Sequence, residues 1–368
     1  MTKIEKLIQQ LCPNGVEYET LENVSEIKRG IRVVKSQLNE SGKYPVYQNS
    51  LTPLGFYEQN NAPANTTFII VAGAAGEIGY SICDFWAADD CFYFLPSAKL
   101  LNRYIYHFML MKQPYLLSKV RKASIPRLAR SAIETLNIPV PPLEVQREIV
   151  RILDQFTELT AELTTELTAR KKQYEYYQEV LLNLSSNNFD MYRLGDVCEM
   201  KAGKFIEAIK ISDYKSERTP IPCYGGNGIR GYVAEANQHK DCPIIGRQGA
   251  LCGNVNFATG AYYATEHAVV VKSKGKYDQR YLFYLLTAMN LNQFKSQGAQ
   301  PGLSVKRLED LIVPVPPLEE QRRIVTILDR FDALCNDLTS GLPAEIEARR
   351  KQYEYYRDKL LTFKELKR

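Results

Sequence analysis

The chain has no long apolar segment and no apolar N-terminus. Its 368 residues contain no run of about 18 apolar residues, so no membrane-spanning helix is predicted. The first residues, MTKIEKLIQQLCPNG, lack the apolar centre of a secretion signal. The eight cysteines are scattered and form no Cys-x-x-Cys pair, which favours buried thiols over a disulfide framework. Together these absences predict a cytoplasmic protein without a membrane partner.

The composition that remains is that of a soluble globular protein, with 45% hydrophobic and 24% charged residues. The length allows two domains, each with its own core. The net charge of +5 is unevenly spread: residues 1–137 hold 15 Lys and Arg against 12 Asp and Glu, and residues 191–312 hold 16 against 11. This excess suits a polyanionic partner, although an ordinary surface can also show it.

Two blocks of sequence occur twice. Residues 139–156 read PVPPLEVQREIVRILDQF and residues 314–331 read PVPPLEEQRRIVTILDRF. Further on, ARKKQYEYY at 169–177 returns as ARRKQYEYY at 348–356. Two such copies predict two similar structural units and internal pseudo-symmetry. The segments between the copies differ far more. We therefore interpret the copies as a structural frame and the variable segments as two recognition units, or readers, of different specificity.

The variable segments follow an α+β pattern. Short β-type runs are separated by Gly, Asn and Pro turns, and helical patterns follow at about 101–120 and 278–296. The first eleven residues align with the end of the long central helical segment, which indicates a circular arrangement of the repeat.

The frame segments predict long helices. From Leu143 onward, apolar residues recur every three or four positions for about forty residues, which predicts a rod of roughly 60 Å with a seam for another helix. In the second copy, Gly341-Leu342-Pro343 should break or kink the helix, because proline cannot donate the helical hydrogen bond. The two helices are expected to pack antiparallel. The alternative is two separate amphipathic helices, each packed on its own domain.

The repeated blocks and the alternation of variable and constant regions resemble the specificity subunit of type I restriction-modification systems. One further detail is the four-residue pattern TELTAELTTEL at 157–167, which resembles the repeats that tune the spacer in this family. The resemblance implies that each variable region reads one half of a bipartite site in double-stranded DNA. It also implies that the helices set the gap between the halves. Partners implied are two modification (methyltransferase) subunits and the restriction (motor-nuclease) subunits.

The resulting fold class is α+β, with two pseudo-symmetric target-recognition domains joined by two long antiparallel conserved helices that form a coiled-coil spacer. The predicted boundaries are residues 1–137 for the first recognition domain, 138–186 for the central spacer helix, 187–312 for the second recognition domain and 313–368 for the C-terminal spacer helix.

Candidate DNA-binding residues are basic or amide side chains in turns, because these side chains bind phosphates and base edges. In the first domain they are Lys28, Arg29, Gln48, Asn49, Lys119, Arg121, Lys122, Arg127 and Arg130. In the second domain they are Lys201, Lys204, Asn227, Arg230, Arg247, Gln248, Gln300, Ser304 and Lys306. For each one, a solvated surface residue remains an equal alternative. We align Ala72 with Arg247, which argues against a contact shared by both domains at this loop.

Candidate residues for the spacer and the subunit interface lie in the repeated blocks. They are Glu144, Gln146, Ile149, Leu153, Phe156, Leu163, Tyr174 and Tyr177 in the first copy, and Glu319, Gln321, Ile324, Leu328, Phe331, Tyr353 and Tyr356 in the second.

Three signals for other chemistry are weak. The glycine-rich segment 73–79 lacks the helix and downstream acid of a dinucleotide site, so a turn close to another backbone is the better interpretation. Cys242 and Cys252 near two histidines match no common zinc spacing, and no metal site is predicted. His107 lies in an apolar helical pattern and is expected to be packed rather than catalytic.

No catalytic motif is present. The chain lacks the Asn/Asp-Pro-Pro-Tyr/Phe motif with which amino-methyltransferases of this type hold a flipped base, and it lacks a P-loop and an obvious nuclease carboxylate pair. We therefore predict a non-catalytic subunit without its own cofactor, with S-adenosylmethionine, ATP and Mg expected on the partner subunits. Two alternatives stay open: a coiled-coil scaffold for protein partners, and a self-contained DNA-modifying enzyme.

The spacer interpretation makes a quantitative prediction. Inserting one Thr-x-Glu-Leu unit after residue 167 lengthens a helix by about 6 Å, which should widen the gap between half-sites by roughly one or two base pairs. The gap is read from the methylated motif of cells that carry the insertion. An unchanged gap would contradict a ruler role for this helix.

Overall fold

A computed structural model describes residues 2–182, 189–249, 251–296 and 301–366. The chain divides into two compact units, Met1–Thr164 with Glu345–Arg368, and Thr165–Ala344. Both units are α+β, as the sequence predicted. None of the helices in the described ranges combines the length and the apolar composition that a membrane span requires. All eight cysteines are free; seven are buried as expected, and Cys83 is exposed.

The elements up to the central helix alternate short strands with a few helices. In chain order they are α1 Lys3–Leu11, β1 Tyr18–Thr20, α2 Leu21–Val24, β2 Ser25–Arg29, β3 Tyr44–Tyr47, β4 Gly55–Tyr57, β5 Thr66–Ile70, β6 Ile78–Ser81, β7 Trp86–Ala87, β8 Cys91–Pro96, α3 Asn102–Ser118, α4 Ser131–Glu134, β9 Asn137–Pro139 and α5 Leu143–Leu182.

The remaining elements repeat that order. They are β10 Met191–Arg193, α6 Leu194–Val197, β11 Cys198–Ala202, β12 Ile221–Gly225, β13 Gly228–Val233, β14 Cys242–Gly246, β15 Val255–Ala258, β16 Tyr263–Ala264, β17 Ala268–Ser273, α7 Gln279–Ala288, α8 Val305–Glu309, β18 Ile312–Pro314, α9 Leu318–Asn336 and α10 Leu342–Leu360.

The two units share one sheet topology. The first has a four-stranded sheet β2-β8-β5-β6, a three-stranded sheet β4-β3-β7 and a strand pair β1-β9. The second has β11-β17-β14-β15, β13-β12-β16 and β10-β18. Matching strands occupy matching places in every sheet, and the parallel pair β3-β7 recurs as β12-β16. The internal repeat is therefore a repeat of fold.

The sequence pattern explains the middle of each four-stranded sheet. Every residue of β5 and of β14 is buried, which suits strands covered on both faces. In β5 the apolar run Phe68–Ile70 follows two buried threonines. Helix α3 packs its buried residues into the first core together with Ile149 and Leu153 of α5. In the second unit, α7 packs in the same way with Ile324 and Leu328 of α9.

The central frame helix is continuous, and the C-terminal one is interrupted. Helix α5 has 40 residues, as its periodicity predicted. The predicted break in the second copy is confirmed, because α9 ends at Asn336 and α10 begins at Leu342. An added Cβ at Gly341 would lie 2.5 Å from the Ala333 oxygen, so this turn requires glycine. Pro343 then occupies the first turn of α10, where its missing N–H is harmless.

The frame helices contact one another within each unit. In the first, the rings of Phe156 and Tyr356 stack with centroids 5.4 Å apart. In the second, Phe331 stacks between Tyr174 and Tyr177, at 6.1 and 5.3 Å. Early residues of α5 thus meet α10 and late residues meet α9, which is the order expected of antiparallel segments. Two helices that each pack only on their own domain are excluded.

Two expectations from the sequence were wrong. The second helical segment, predicted at 278–296, ends as an α-helix at Ala288 because Asn290 adopts a left-handed φ of 45°. The alignment of Ala72 with Arg247 is also off by one residue. The strand ladders pair Ile70 with Cys91 and Gly246 with Ala268, so Arg247 is equivalent to Val71 and Gln248 to Ala72. Matching the ends of apolar runs misplaced a register that backbone hydrogen bonds determine.

A buried glutamine joins each recognition domain to its frame helix. Gln146 is fully buried; its oxygen accepts from the Leu101 N–H at 2.9 Å, and its Nε2 donates to the carbonyls of Lys99 and Pro141 at 2.8 and 2.7 Å. Gln321 makes the corresponding three bonds in the second unit at 2.8–3.0 Å. Both amides satisfy backbone groups in the loop before a recognition-domain helix.

Replacing this amide should loosen the joint. Gln146→Ala leaves one buried N–H and two carbonyls without partners, which should lower the free energy of unfolding by about 1–3 kcal/mol. The buried Trp86, the single tryptophan, reports unfolding of the first unit by fluorescence. The matched control is the exposed Gln155→Ala on the same helix. Equal and small effects, within about 0.5 kcal/mol, would contradict the assigned role.

Candidate nucleic-acid interface

Three loops of the first unit meet at the ends of β3 and β5. The N–H of Ala74 donates to the Asn49 carbonyl at 2.9 Å, and the N–H of Gly73 donates to the Pro126 carbonyl at 3.2 Å. An added Cβ on Gly73, whose φ is 82°, would lie 2.9 Å from the Asn49 oxygen. The glycine-rich segment is therefore a turn against another backbone, as predicted. It brings the candidate turn 48–50 beside the basic segment 119–130.

The basic segment forms a small hairpin beside this junction. Arg121 and Arg127 exchange backbone hydrogen bonds of 2.8 and 3.2 Å. The side chains of Arg121, Lys122 and Arg127 are exposed, and none makes an ion pair within the described ranges. These three cations are available to an anionic partner.

Other first-domain candidates have partners inside the protein. Arg130 binds Glu134 at 2.6 Å and the Ile27 carbonyl at 3.1 Å, so it ties α4 to β2. Lys28 pairs with Glu26 at 3.4 Å and Arg29 donates to the Asp89 carbonyl at 3.0 Å. Lys119 lies 5.1 Å from the ring centroid of Tyr115. Gln48 and Asn49 form the turn itself.

The second unit repeats the junction with different side chains. The N–H of Gly249 donates to the Pro301 carbonyl at 3.1 Å, and the N–H of Leu303 donates to the Arg247 carbonyl at 2.9 Å. An added Cβ on Gly246 would lie 1.8 Å from the Gly226 oxygen, so the two backbones touch. Asn227 accepts a 2.6 Å hydrogen bond from Asn254. Gln248 lies next to this contact and is exposed.

The remaining second-domain candidates are mostly exposed. Arg230, Lys204 and Lys306 are exposed, and Lys201 pairs with Glu199. The Ser304 hydroxyl accepts from the Arg307 N–H at 3.2 Å and so caps α8. Gln300 lies outside the described residues.

The candidate DNA-binding residues chosen from the sequence leave out one pair of positions in each unit. Asp89-Asp90 and Glu266-His267 form the turn that leads into the buried strand β8 or β17. One carboxylate oxygen of Asp89 and one of Glu266 are buried without a hydrogen-bond partner. The signal was available in the repeat, because both halves place two polar residues between a short strand and an apolar one.

The candidate interface residues divide by burial. Gln146, Ile149, Leu153, Gln321, Ile324 and Leu328 are buried inside their own units, so none is available to a partner subunit. Glu144 and Glu319, at equivalent positions, are exposed, and Leu163 is half-buried. Each tyrosine pair has one member against a frame helix, Tyr177 or Tyr356, while Tyr176 and Tyr355 are about three-fifths exposed, at 60% and 62%.

A polar cluster connects α3 to both frame segments of the first unit. Arg103 Nε and His107 Nε2 lie 2.8 Å from the same Asp154 oxygen, and His107 Nδ1 lies 3.0 Å from the Tyr353 hydroxyl. Burial lowers the pKa of His107, and the Asp154 hydrogen bond only partly offsets this. Burial also acts to raise the pKa of Asp154, but hydrogen bonds from His107 and Arg103 outweigh it and lower that pKa. His107 is thus packed, as expected.

The second unit builds the same cluster without a histidine. Arg280 Nε lies 2.7 Å from Asp329, and the Tyr284 hydroxyl donates to the same carboxylate oxygen at 2.6 Å. Within the described ranges, no group of three or more His, Cys, Asp or Glu is placed to hold a metal ion.

Comparison with known proteins points in one direction. The family model for the type I restriction modification DNA specificity domain matches residues 13–170 and again 186–348. The specificity subunit of the Escherichia coli type I restriction enzyme EcoprrI is 51% identical over 55% of this chain, a match that spans about half (52%) of that relative. A Haemophilus influenzae protein provisionally named as a type I restriction enzyme specificity subunit is 33% identical over 98% of both chains.

A solved structure has the same fold. The crystal structure of the type I restriction-modification S subunit from M. genitalium superposes with a TM-score of 0.69 and covers 94% of this chain and 96% of its own. At 20% identity this likeness concerns the fold alone.

The histidine cluster predicts a pH dependence in the first unit. A lowered pKa in the folded state means that the unfolded chain, with a histidine pKa of about 6.5, binds this proton more readily. Stability is therefore full above about pH 6.5 and falls as the pH drops. Between about pH 7.5 and about pH 5.5, the urea midpoint from Trp86 fluorescence should fall more in the wild type than in His107→Tyr, which copies Tyr284.

The control for this prediction is the exposed His239→Gln, which should behave as the wild type. Equal pH dependence in the wild type and in His107→Tyr would contradict the assignment.

Proposed function

Because this chain belongs to the type I restriction-modification DNA specificity family, we propose that it reads a bipartite, asymmetric target in double-stranded DNA. Each unit reads one half of the target through the three loops that meet at the ends of its strands. The observation that carries this proposal is one backbone scaffold, present twice, with different side chains at the same positions.

The differences between the junctions support two different half-sites. Arg247 stands where the first unit has Val71, and Gln248 stands where it has Ala72. At the third loop the difference is reversed, since the first unit has Arg127 where the second has Gly302. Each of these residues follows the proline whose carbonyl accepts the hydrogen bond from Gly73 or Gly249. Side chains that differ in charge and donor pattern select different base edges. A target with two unlike halves follows.

The exposed cations supply sequence-independent attraction. In the first unit these are Arg121, Lys122 and Arg127, and in the second they are Lys204, Arg230 and Lys306. Lys and Arg beside a reading loop bind phosphates and so hold the duplex in place while other groups read bases.

The partners in this proposal are enzymes, and this chain directs them. Two modification subunits that use S-adenosylmethionine, and restriction subunits that use ATP and Mg, dock on the conserved frame. The exposed carboxylates of Glu144 and Glu319 occupy equivalent places at the start of α5 and α9, so one type of subunit can bind twice. The chain itself contributes recognition without catalysis.

Salt dependence tests the proposal and separates it from a scaffold that binds only protein. The triple variant Arg121→Gln, Lys122→Gln and Arg127→Gln should weaken DNA binding. The slope of log K against log salt should become less steep by about 0.9 for each phosphate that the variant no longer binds, or by up to about 2.7 for all three. The measurement is a titration of fluorescent duplex DNA at several salt concentrations.

The control removes three equally charged residues that already have partners. Arg349, Arg350 and Lys351 each pair with a glutamate one turn away on α10. Their replacement by Gln should leave the slope unchanged. A wild-type chain, alone and with its modification subunits, that binds no DNA would favour the scaffold instead.

A further inference from the structure

Unpaired polar atoms concentrate at one place in the second unit. Nine side-chain N or O atoms are buried without a hydrogen-bond partner in the described ranges. Three of them are Arg247 Nε, Glu266 Oε2 and His267 Nδ1, and a fourth is Asp89 Oδ1 in the first unit. Polar groups left unpaired on burial cost free energy, so their collection at one position requires an explanation.

The two units place these atoms at the same structural position. The N–H of Ala88 donates to the Tyr47 carbonyl at 2.9 Å, and the N–H of Thr265 donates to the Tyr224 carbonyl at 2.9 Å. Asp89 follows the first donor and Glu266 the second. Backbone hydrogen bonds thus hold the turn in both units. In each unit, one oxygen of the first carboxylate in the turn makes no hydrogen bond.

Backbone hydrogen bonds also join this turn to the reading loop. The Arg247 N–H donates to the His267 carbonyl at 2.9 Å, as the Val71 N–H donates to the Asp90 carbonyl at 2.8 Å. Gly226 closes the other side, because an added Cβ there would lie 2.7 Å from the Gln248 oxygen. The arginine and the carboxylate therefore stand on two adjoining loops of one junction.

The charges of Glu266 and Arg230 both act on the same buried thiol. Burial raises the pKa of Cys223 to about 11, with smaller opposing effects from Arg230, which lowers it, and Glu266, which raises it. Both side chains therefore lie near Cys223 on β12. Arg230 lies on β13, which pairs with β12, so the exposed cation beside the junction is Arg230, while Arg247 is half-buried.

The side chains at the turn are partly exposed. Glu266 and His267 are about one-third exposed, at 30% and 36%, and His267 Nε2 lies 3.0 Å from Glu266 Oε1. The other carboxylate oxygen of Glu266, Oε2, is the one without a hydrogen-bond partner. A ligand that supplies donors to Glu266 and acceptors to Arg247 recovers the free energy that the unpaired atoms cost.

Resting on the proposed function, we propose that Arg247 and Glu266 read one G·C base pair in the half-site of the second unit. Arg247 donates to O6 and N7 of guanine, and Glu266 accepts from the N4 amino group of the paired cytosine. This assignment follows from chemistry, because arginine offers a planar fork of donors and an ionised glutamate offers acceptors only.

The first unit carries a reduced version of this reader. Asp89 keeps the acceptor, but Val71 replaces the arginine at the end of the buried strand. We assign to Asp89 an exposed amino group, of cytosine or adenine, at the equivalent position of the other half-site.

The test is the methylated motif of cells that express variants of this chain together with its modification subunits. Glu266→Gln should reduce the preference for G·C at one position of one half-site by at least about fivefold, since the amide also donates. The second half-site and the gap should be unchanged. Asp89→Asn should alter one position of the opposite half-site only.

Two further variants keep the test decisive. Arg247→Val copies the first unit and should remove the guanine preference at the same position as Glu266→Gln, even if Glu266→Gln folds poorly. The control Glu235→Gln changes an exposed glutamate of the second unit and should leave the motif intact.

The outcomes separate this inference from the function on which it rests. A wild-type chain that directs no split motif overturns the proposed function. A wild-type split motif that stays identical in soluble Glu266→Gln and Arg247→Val overturns only the base-pair assignment. Changes in both half-sites from one variant also overturn it.

Discussion

The structure depends on the attachment of each recognition domain to a frame helix. In both units a buried glutamine satisfies the backbone before α3 or α7, and an arginine on that helix binds an aspartate of the frame at 2.8 or 2.7 Å. The two glutamines are fully buried, where unmade hydrogen bonds are costly, while the arginine–aspartate pairs are partly exposed. These contacts attach each recognition domain to its frame helix, as the spacer hypothesis requires.

Main-chain hydrogen bonds explain how one fold can carry two different sets of recognition side chains. At each junction the loops are joined by main-chain hydrogen bonds, such as those from Gly73 and Gly249 to the carbonyl of a proline. Main-chain bonds do not depend on the side chain, so position 71 can be valine while its equivalent, 247, is arginine. The frame contacts are made by amides, rings and carboxylates, and both copies carry the same glutamine and aspartate at these places. The junctions share their backbone hydrogen bonds instead.

The two clusters at the attachments show how far this equivalence extends. His107 and Tyr284 differ in chemistry, yet each hydrogen-bonds the carboxylate that receives the helix arginine. Burial lowers the pKa of His107 but raises that of Tyr284, so protonation in acid is expected to disturb the first cluster and not the second.

Local sequence signals were reliable where the relevant contacts are local. The periodicity of α5 and the break before Pro343 concern neighbours a few residues apart, and both were confirmed. Errors arose where distant residues decide. Arg247 was misaligned by one position because its register comes from β17, and the helical pattern at 278–296 did not show that Asn290 would turn left-handed.

The amino-acid sequence by itself determined that there are two α+β units, a long central helix and a family resemblance, because repeats and periodicity are written along the chain. Only the tertiary structure decided which loops meet and which polar atoms stay unpaired. In the sequence, Asp89 and Glu266 stand out only as polar residues before an apolar strand, which does not mark them as a site. Their meaning depends on hydrogen bonds between segments far apart in the chain, and no local pattern records those.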